Sequence, residues 1–236
     1  MPIEKPSEKD PTVMNRHFPV TTIFLALELV AYYFILTAGG DLLVYSSFGA
    51  IVLCFLHALA YAKTGDKLIL GGLACTVAAD FCLVVCSPIQ RLWGMIFFLA
   101  AQGLYAARLH LYDKHRALLW VRLTLILAAL AITILVLREK TDALALVSLC
   151  YYANLIFNLI MAFLKFKTDK LFPIALLLFL LCDTVIGLQV ACGAYLPIAE
   201  GSALYRIIFM PFNLSWFFYL PSQVLISLRG VKNTTA

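Results

Sequence analysis

The 236-residue chain is 63% hydrophobic and only 13% charged, with a mean hydropathy of +0.94 and a formal net charge of +5. A water-soluble domain carries about 25% charged residues, so this composition excludes a soluble globule and points to an integral membrane protein. The apolar runs are continuous and about 20 residues long, the helix length for a ~30 Å hydrocarbon core, not the alternating segments of a β-barrel. The expected fold class is therefore all-α.

In chain order, residues 1–19 include Lys5, Glu8, Lys9, Asp10 and several prolines, show no signal-peptide pattern, and read as a short polar tail. Eight spans follow, over residues 20–37, 42–62, 68–86, 92–110, 118–137, 143–166, 171–195 and 207–228. They form one transmembrane domain over 20–228, followed by a polar tail over 229–236. Connections are a few residues long except at 196–206, which holds Pro197 and Gly201. Spans one to four and five to eight would share an orientation. Each set contains an Asp helix followed by a Gln/Tyr helix, the look of two parallel four-helix halves.

Lys and Arg set the orientation. Thirteen of the eighteen lie on the side of the N-terminus: Lys5, Lys9, Arg16, Lys63, Lys67, Arg108, Lys114, Arg116, Lys165, Lys167, Lys170, Arg229 and Lys232. Arg91, Arg138, Lys140 and Arg206 lie opposite, and Arg122 sits one turn into span five. Positive-inside bias then puts both termini in the cytoplasm, so the sequon at Asn233 would face the cytosol and stay unmodified. The sequon at Asn213 falls inside span eight and reads as chance. Because the positive charge is spread over short loops, it reports topology and membrane-surface attraction, not nucleic acid. The seven cysteines lie in apolar runs without metal-type spacing and read as small buried hydrophobes.

Span seven, at 171–195, carries Asp183 near its middle, and span three carries Asp80 at the same depth. Each lies twelve residues from the cytoplasmic end of its span, or about 18 Å along the helix. An ionised Asp at a helix centre costs about 2.5–3.5 kcal/mol, so such a residue marks a functional site if partners can be found. Glu28, Gln102, Tyr105, Asn154, Asn158, Tyr219 and Gln223 form a polar layer from that depth toward the cytoplasm. Gln102 and Tyr105 are three apart, while Asn154–Asn158 and Tyr219–Gln223 are four apart. Each pair therefore shares one helix face, and polar faces turn inward when lipid surrounds the bundle. The bland alternative is that these side chains only hold helices together. His57, lone and near a helix end, reads as a helix-packing residue.

No Lys or Arg lies at the depth of the two aspartates, and Arg122 can snorkel to the cytoplasmic surface. Two carboxyls sharing a low-dielectric compartment hold their protons unequally, one serving as acid and one as base. That suits acid–base hydrolysis, and it suits a proton-coupled transporter equally.

Four stretches carry a resemblance: Ala79-Asp80-Phe81-Cys82-Leu83, Ala101-Gln102-Gly103-Leu104-Tyr105, Cys182-Asp183-Thr184-Val185-Ile186, and Tyr219-Leu220-Pro221-Ser222-Gln223-Val224-Leu225-Ile226. In this order they resemble the YhhN family of lysoplasmalogenase-like membrane proteins, whose pattern is G-D-x-x-L, A-H-x-x-Y, S-D-x-x-x and Y-x-x-x-Q-x-x-I on eight helices. The likeness runs from Leu68 to Leu228. Ala79 replaces the usual Gly, Cys182 the usual Ser, and Gln102 stands where many members have His. Pro221 would kink span eight unless its freed carbonyl finds another donor.

The resemblance implies a hydrolase that cleaves the vinyl-ether bond of a lysoplasmalogen, giving a fatty aldehyde and a glycerophospho-base. On this expectation Asp80 and Asp183 are the acid–base pair. Gln102, Tyr105, Tyr219, Gln223, Asn154, Asn158 and Glu28 line the substrate, with water as co-substrate and no cofactor or metal. The headgroup would meet a basic rim of Lys63, Lys67, Arg108, Arg116 and Arg122, although positive-inside bias alone also accounts for that rim. The expected location is the bacterial plasma membrane, or the endoplasmic reticulum in a eukaryote. The competing readings are a transporter for a small polar or amphiphilic solute and an inactive lipid-binding protein. A hydrolase converts lysolipid in detergent, whereas a transporter requires sealed vesicles.

Overall fold

A computed structural model describes residues 11–111, 116–137, 142–194, 201–210 and 213–231. The outer parts of both predicted tails, the sequon at Asn233, Lys114, Arg138, Lys140 and residues 196–200 of the 196–206 connection lie outside them. The described residues are all-helical, with no strand. In order they form α1 (Pro11–Thr37), α2 (Gly40–Ala60), α3 (Lys67–Asp80), α4 (Arg91–Leu111), α5 (Arg116–Leu137), α6 (Ala143–Leu164), α7 (Leu171–Ala194), α8 (Ala203–Ile208) and α9 (Leu214–Val231). A π-helical turn, Phe81–Val85, continues α3.

Six of these are long and apolar enough to cross a membrane: α1 from Pro19, α2, α3 with its π turn, α4, α6 and α7. This is fewer than the eight spans expected. The difference falls on α5 and α9. α5 is 22 residues long and largely apolar, and Leu119–Ala128 is the part of it whose side chains are described without interruption. The expected last span is divided, with a separate six-residue helix at Ala203–Ile208 before the 18-residue α9. α9 also carries Ser222, Gln223, Ser227 and Arg229, which dilute its apolarity.

Surface and interior have the character of a protein in lipid. Leu29, Tyr33, Trp120, Leu135, Leu164 and Val190 are among the large apolar side chains on the outside, while thirteen polar or charged side chains are buried among the described residues. Hydrocarbon satisfies no polar group, so such groups turn inward to find one another. The bundle crosses between the two predicted halves: α4 packs on α3 and α6, and α9 packs on α7, α1, α2 and α3.

Local chemistry fixes the helix ends. Asp66 caps α3 by accepting from Leu68 N and Ile69 N at 3.1 and 3.4 Å, and Asp142 caps α6 through Ala145 N at 2.7 Å. Pro221 has no N–H to give the carbonyl of Phe217, one turn back. Tyr32 of α1 supplies the missing donor, its hydroxyl reaching Phe217 O at 3.0 Å.

At the end where α3 and α7 begin, four charges close the bundle. Arg108 of α4 donates to Asp66 Oδ2 at 2.6 Å and to Asp169 Oδ2 at 3.0 Å, and Arg229 of α9 donates to the same Asp169 oxygen at 2.5 Å. Arg108 also lies over the Phe172 ring, 4.4 Å from its centroid. Arg108 is therefore consumed by an internal clamp and does not face a headgroup. Lys63 and Lys67 are exposed, and the Arg116 side chain lies outside the described residues. Close backbone contact completes this end. Asp66 N donates to Gly230 O at 2.8 Å, and a Cβ at Gly65 would stand 2.6 Å from that same oxygen.

Candidate functional site

α3 and α7 bring the two aspartates into one compartment. Asp80, buried, accepts from the Tyr219 hydroxyl at 2.6 Å. Asp183 accepts from the Tyr151 hydroxyl of α6. The carboxyls lie close enough to interact electrostatically. Four rings enclose them: Phe98 packs against Tyr151 and Phe179 at 5.7 Å and against Tyr219 at 6.3 Å, and Phe179 lies 5.5 Å from Tyr219. These ring contacts surround the two tyrosines that hold the carboxyls, with Asp80 buried and Asp183 partly buried. Directly after Asp80 the backbone changes to the π turn, with Cys86 N donating to Phe81 O at 3.0 Å. Such turns re-aim side chains and often occur at functional sites.

One turn below, α4 places Gln102 four residues after Phe98, and α9 places Gln223 four residues after Tyr219. Both are completely buried. Gln102 Oε1 accepts from Asn158 Nδ2 at 2.8 Å while its Nε2 has no protein partner. Neither amide atom of Gln223 has one, nor does Ser222 Oγ. Tyr105, one turn lower again, packs edge-on against Phe172 at 5.6 Å. Its ring lies against α3 where residue 72 is Gly, since a Cβ there would stand 2.2 Å from Tyr105 Cε1. Buried polar atoms are nearly always hydrogen-bonded. This set of orphans lies beneath the aspartates and is suited to a polar ligand or water.

The predicted site residues are distributed as follows. Asp80, Asp183, Tyr219, Gln102 and Gln223 occupy the compartment and its floor, and Tyr105 lies below. Asn158 touches Gln102, whereas Asn154 stands one turn away and reaches the floor only through Arg122. Glu28 is buried on the α1–α2 side. Its Oε1 accepts from Cys54 Sγ at 3.4 Å and its Oε2 has no partner. His57 packs as expected: it stacks on Phe24 at 4.0 Å, and its Nδ1 lies 2.8 Å from Ser227 Oγ. All seven cysteines are free. Cys54 and Cys182 are buried and the other five partly so.

The expectation that Arg122 snorkels is overturned. Arg122 is 4% exposed and lies inside the bundle. Its Nε donates to Asn154 Oδ1 at 2.9 Å, its Nη2 to Asn158 Oδ1 at 3.0 Å, and its guanidinium lies 5.3 Å from the Phe157 ring centroid. Two amides and an aromatic face replace the water that snorkelling would have sought. Tyr151 was missed altogether, although it precedes Asn154 by three residues and Asn158 by seven and so shares their helix face. Among the described residues no group of His, Cys, Asp and Glu has the arrangement of a metal site.

A family model described as the YhhN family matches residues 42–229. The chain belongs to the YhhN family. The match extends beyond the four quoted stretches to include α2. Comparisons with curated proteins and with solved structures give no match.

Proposed function

We propose that this YhhN-family protein is a membrane-embedded, lysoplasmalogenase-like hydrolase acting on the vinyl-ether bond of 1-alkenyl lysophospholipids. The observation that carries the reading is the pair of carboxyls, Asp80 buried and Asp183 partly buried, each held by a tyrosine hydroxyl among packed aromatic rings, above a floor of buried amide atoms that lack protein partners.

One of Asp80 and Asp183, as the neutral acid, gives its proton to the vinyl carbon remote from the ether oxygen. The carbon bonded to oxygen becomes an oxocarbenium centre, stabilised by the other carboxylate. That carboxylate takes a proton from water as the water oxygen bonds to the cationic carbon. The hemiacetal then passes its hydroxyl proton to the glycerol oxygen, the C–O bond breaks, and aldehyde and alcohol leave. The atoms balance as one vinyl ether plus one water. Tyr151 and Tyr219 hold the carboxyls in place, while Gln102, Tyr105 and Gln223 line the path of the glycerol backbone and Asn158 supports Gln102 from behind.

In this reading α5 and α9 also cross the bilayer, giving eight spans with both termini cytoplasmic and a single transmembrane domain over 20–228. The lipid tail lies among apolar helices. The membrane is the bacterial plasma membrane, or the endoplasmic reticulum in a eukaryote. Heavy water tests the chemistry: hydrolysis in deuterium oxide, with immediate reduction of the aldehyde, should leave one deuterium on the carbon next to the carbonyl. Product without that deuterium rejects protonation at carbon.

A further inference from the structure

We infer that Arg122 is a positioning residue that acts through Asn158 to fix the amide of Gln102 as a hydrogen-bond donor toward a ligand hydroxyl. The argument begins with what a guanidinium can do. It has five N–H donors and no acceptor, so each asparagine beside it must present its oxygen. Asn154 and Asn158 do so, at 2.9 and 3.0 Å. Their NH2 groups are thereby turned away from Arg122. That of Asn154 is satisfied by Cys150 O on its own helix at 2.8 Å. That of Asn158 crosses to α4 and donates to Gln102 O at 2.9 Å and Gln102 Oε1 at 2.8 Å.

Gln102 is left with no choice of orientation. Its oxygen faces Asn158, so its NH2 faces away, buried and without a protein partner. A glutamine free to flip would offer donor or acceptor equally, whereas this one offers only a donor. Gln102 follows Phe98 by four residues and Asn158 follows Tyr151 by seven, which places the pair one to two turns beneath the Phe98–Tyr151 ring pair, whose tyrosine holds Asp183. The ligand atom is an uncharged oxygen. The ether oxygen is a poor match, because a donor there would oppose the positive charge that develops on protonation. The free hydroxyl of a lysolipid glycerol, or a water molecule, matches it. We commit to the hydroxyl, an assignment that rests on the compartment being a lysolipid site.

Binding rather than turnover tests this, with two probes that cannot be hydrolysed: a saturated 1-alkyl lysophosphatidylcholine and its 2-deoxy counterpart. The wild type should prefer the hydroxyl probe about fivefold, the worth of one hydrogen bond. Arg122→Met, Asn158→Asp and Gln102→Leu should each remove that preference, read as the ratio of the two probes' affinities within one variant. Asn158→Asp retains an acceptor for Arg122 and loses only the donor, which keeps the test valid if Arg122→Met fails to fold. Arg122→Lys should restore part of the preference. The double variant Arg122→Met/Gln102→Leu should be no worse than Gln102→Leu alone, because the two residues act on one contact. Full preference in folded Arg122→Met or Asn158→Asp, additive losses in the double variant, or absence of preference in the wild type would each overturn the inference. A wild type that discriminates the probes yet releases no aldehyde supports the positioning role and rejects the hydrolase.

Discussion

At the scale of single residues, the account rests on two carboxyls and the groups that hold them. Asp80→Asn and Asp183→Asn keep the shape of the side chain and its bond to the tyrosine but cannot exchange a proton at neutral pH. Each should lower aldehyde turnover at least about a hundredfold, the scale of general acid–base catalysis, with the thermal transition in detergent retained. The pairing of these aspartates was legible from equal depth on two helices, because rise per residue is a local property. Tyr151 was equally legible from its spacing to Asn154 and Asn158, but it was hidden by its apolar body. Arg122 was misread for a different reason. Snorkelling treats a helix alone in lipid, whereas here α6 presents two amide oxygens that only the folded bundle brings into reach.

At the scale of elements, helix continuity depends on partners distant in sequence. Tyr32 donates to the carbonyl freed by Pro221, so Tyr32→Phe should destabilise the protein by about 1 kcal/mol, the net worth of one hydrogen bond. A neutral result in thermal unfolding would place that carbonyl with another donor. The sequence identifies the carbonyl at risk but not its rescuer, 185 residues away. Gly72→Ala should displace the Tyr105 ring and cost about 2 kcal/mol by overpacking, read in the same assay.

The clamp at the helix ends gives a pH dependence. Burial alone would raise the Asp169 carboxyl, but the hydrogen bonds and charges of Arg229 and Arg108 outweigh it and hold it below its ordinary value of 3.8. A depressed carboxylate contributes stability that is fully present above that ordinary value and is lost as pH falls through the lower, folded-state value. Stability in detergent should therefore fall on acidification below about pH 4. Asp169→Asn should remove this part of the acid sensitivity and cost about 3 kcal/mol at neutral pH, because Arg229 and Arg108 lose the carboxylate they share and Arg108 keeps only Asp66.

At the scale of the whole molecule, composition was sufficient for the all-helical membrane class, and continuous apolar runs located most of the helices. Six helices qualify as spans among the described residues, and α9 falls short of the same apolarity because it combines Pro221, Gln223 and Arg229 with a late start at Leu214. The orientation rests on the Lys/Arg asymmetry. In a background without the native cysteines, Ile89→Cys should react with an impermeant thiol reagent on intact cells, and Lys63→Cys only after permeabilisation. The reverse pattern would invert the topology.

The central claim is that the Asp80–Asp183 pair hydrolyses a lysolipid vinyl ether. The direct measurement is release of fatty aldehyde from a 1-alkenyl lysophospholipid by the detergent-purified protein, beside Asp183→Asn. The account predicts aldehyde from the wild type and at least about a hundredfold less from the variant. No aldehyde from well-folded wild type, or equal release by both proteins, would contradict it.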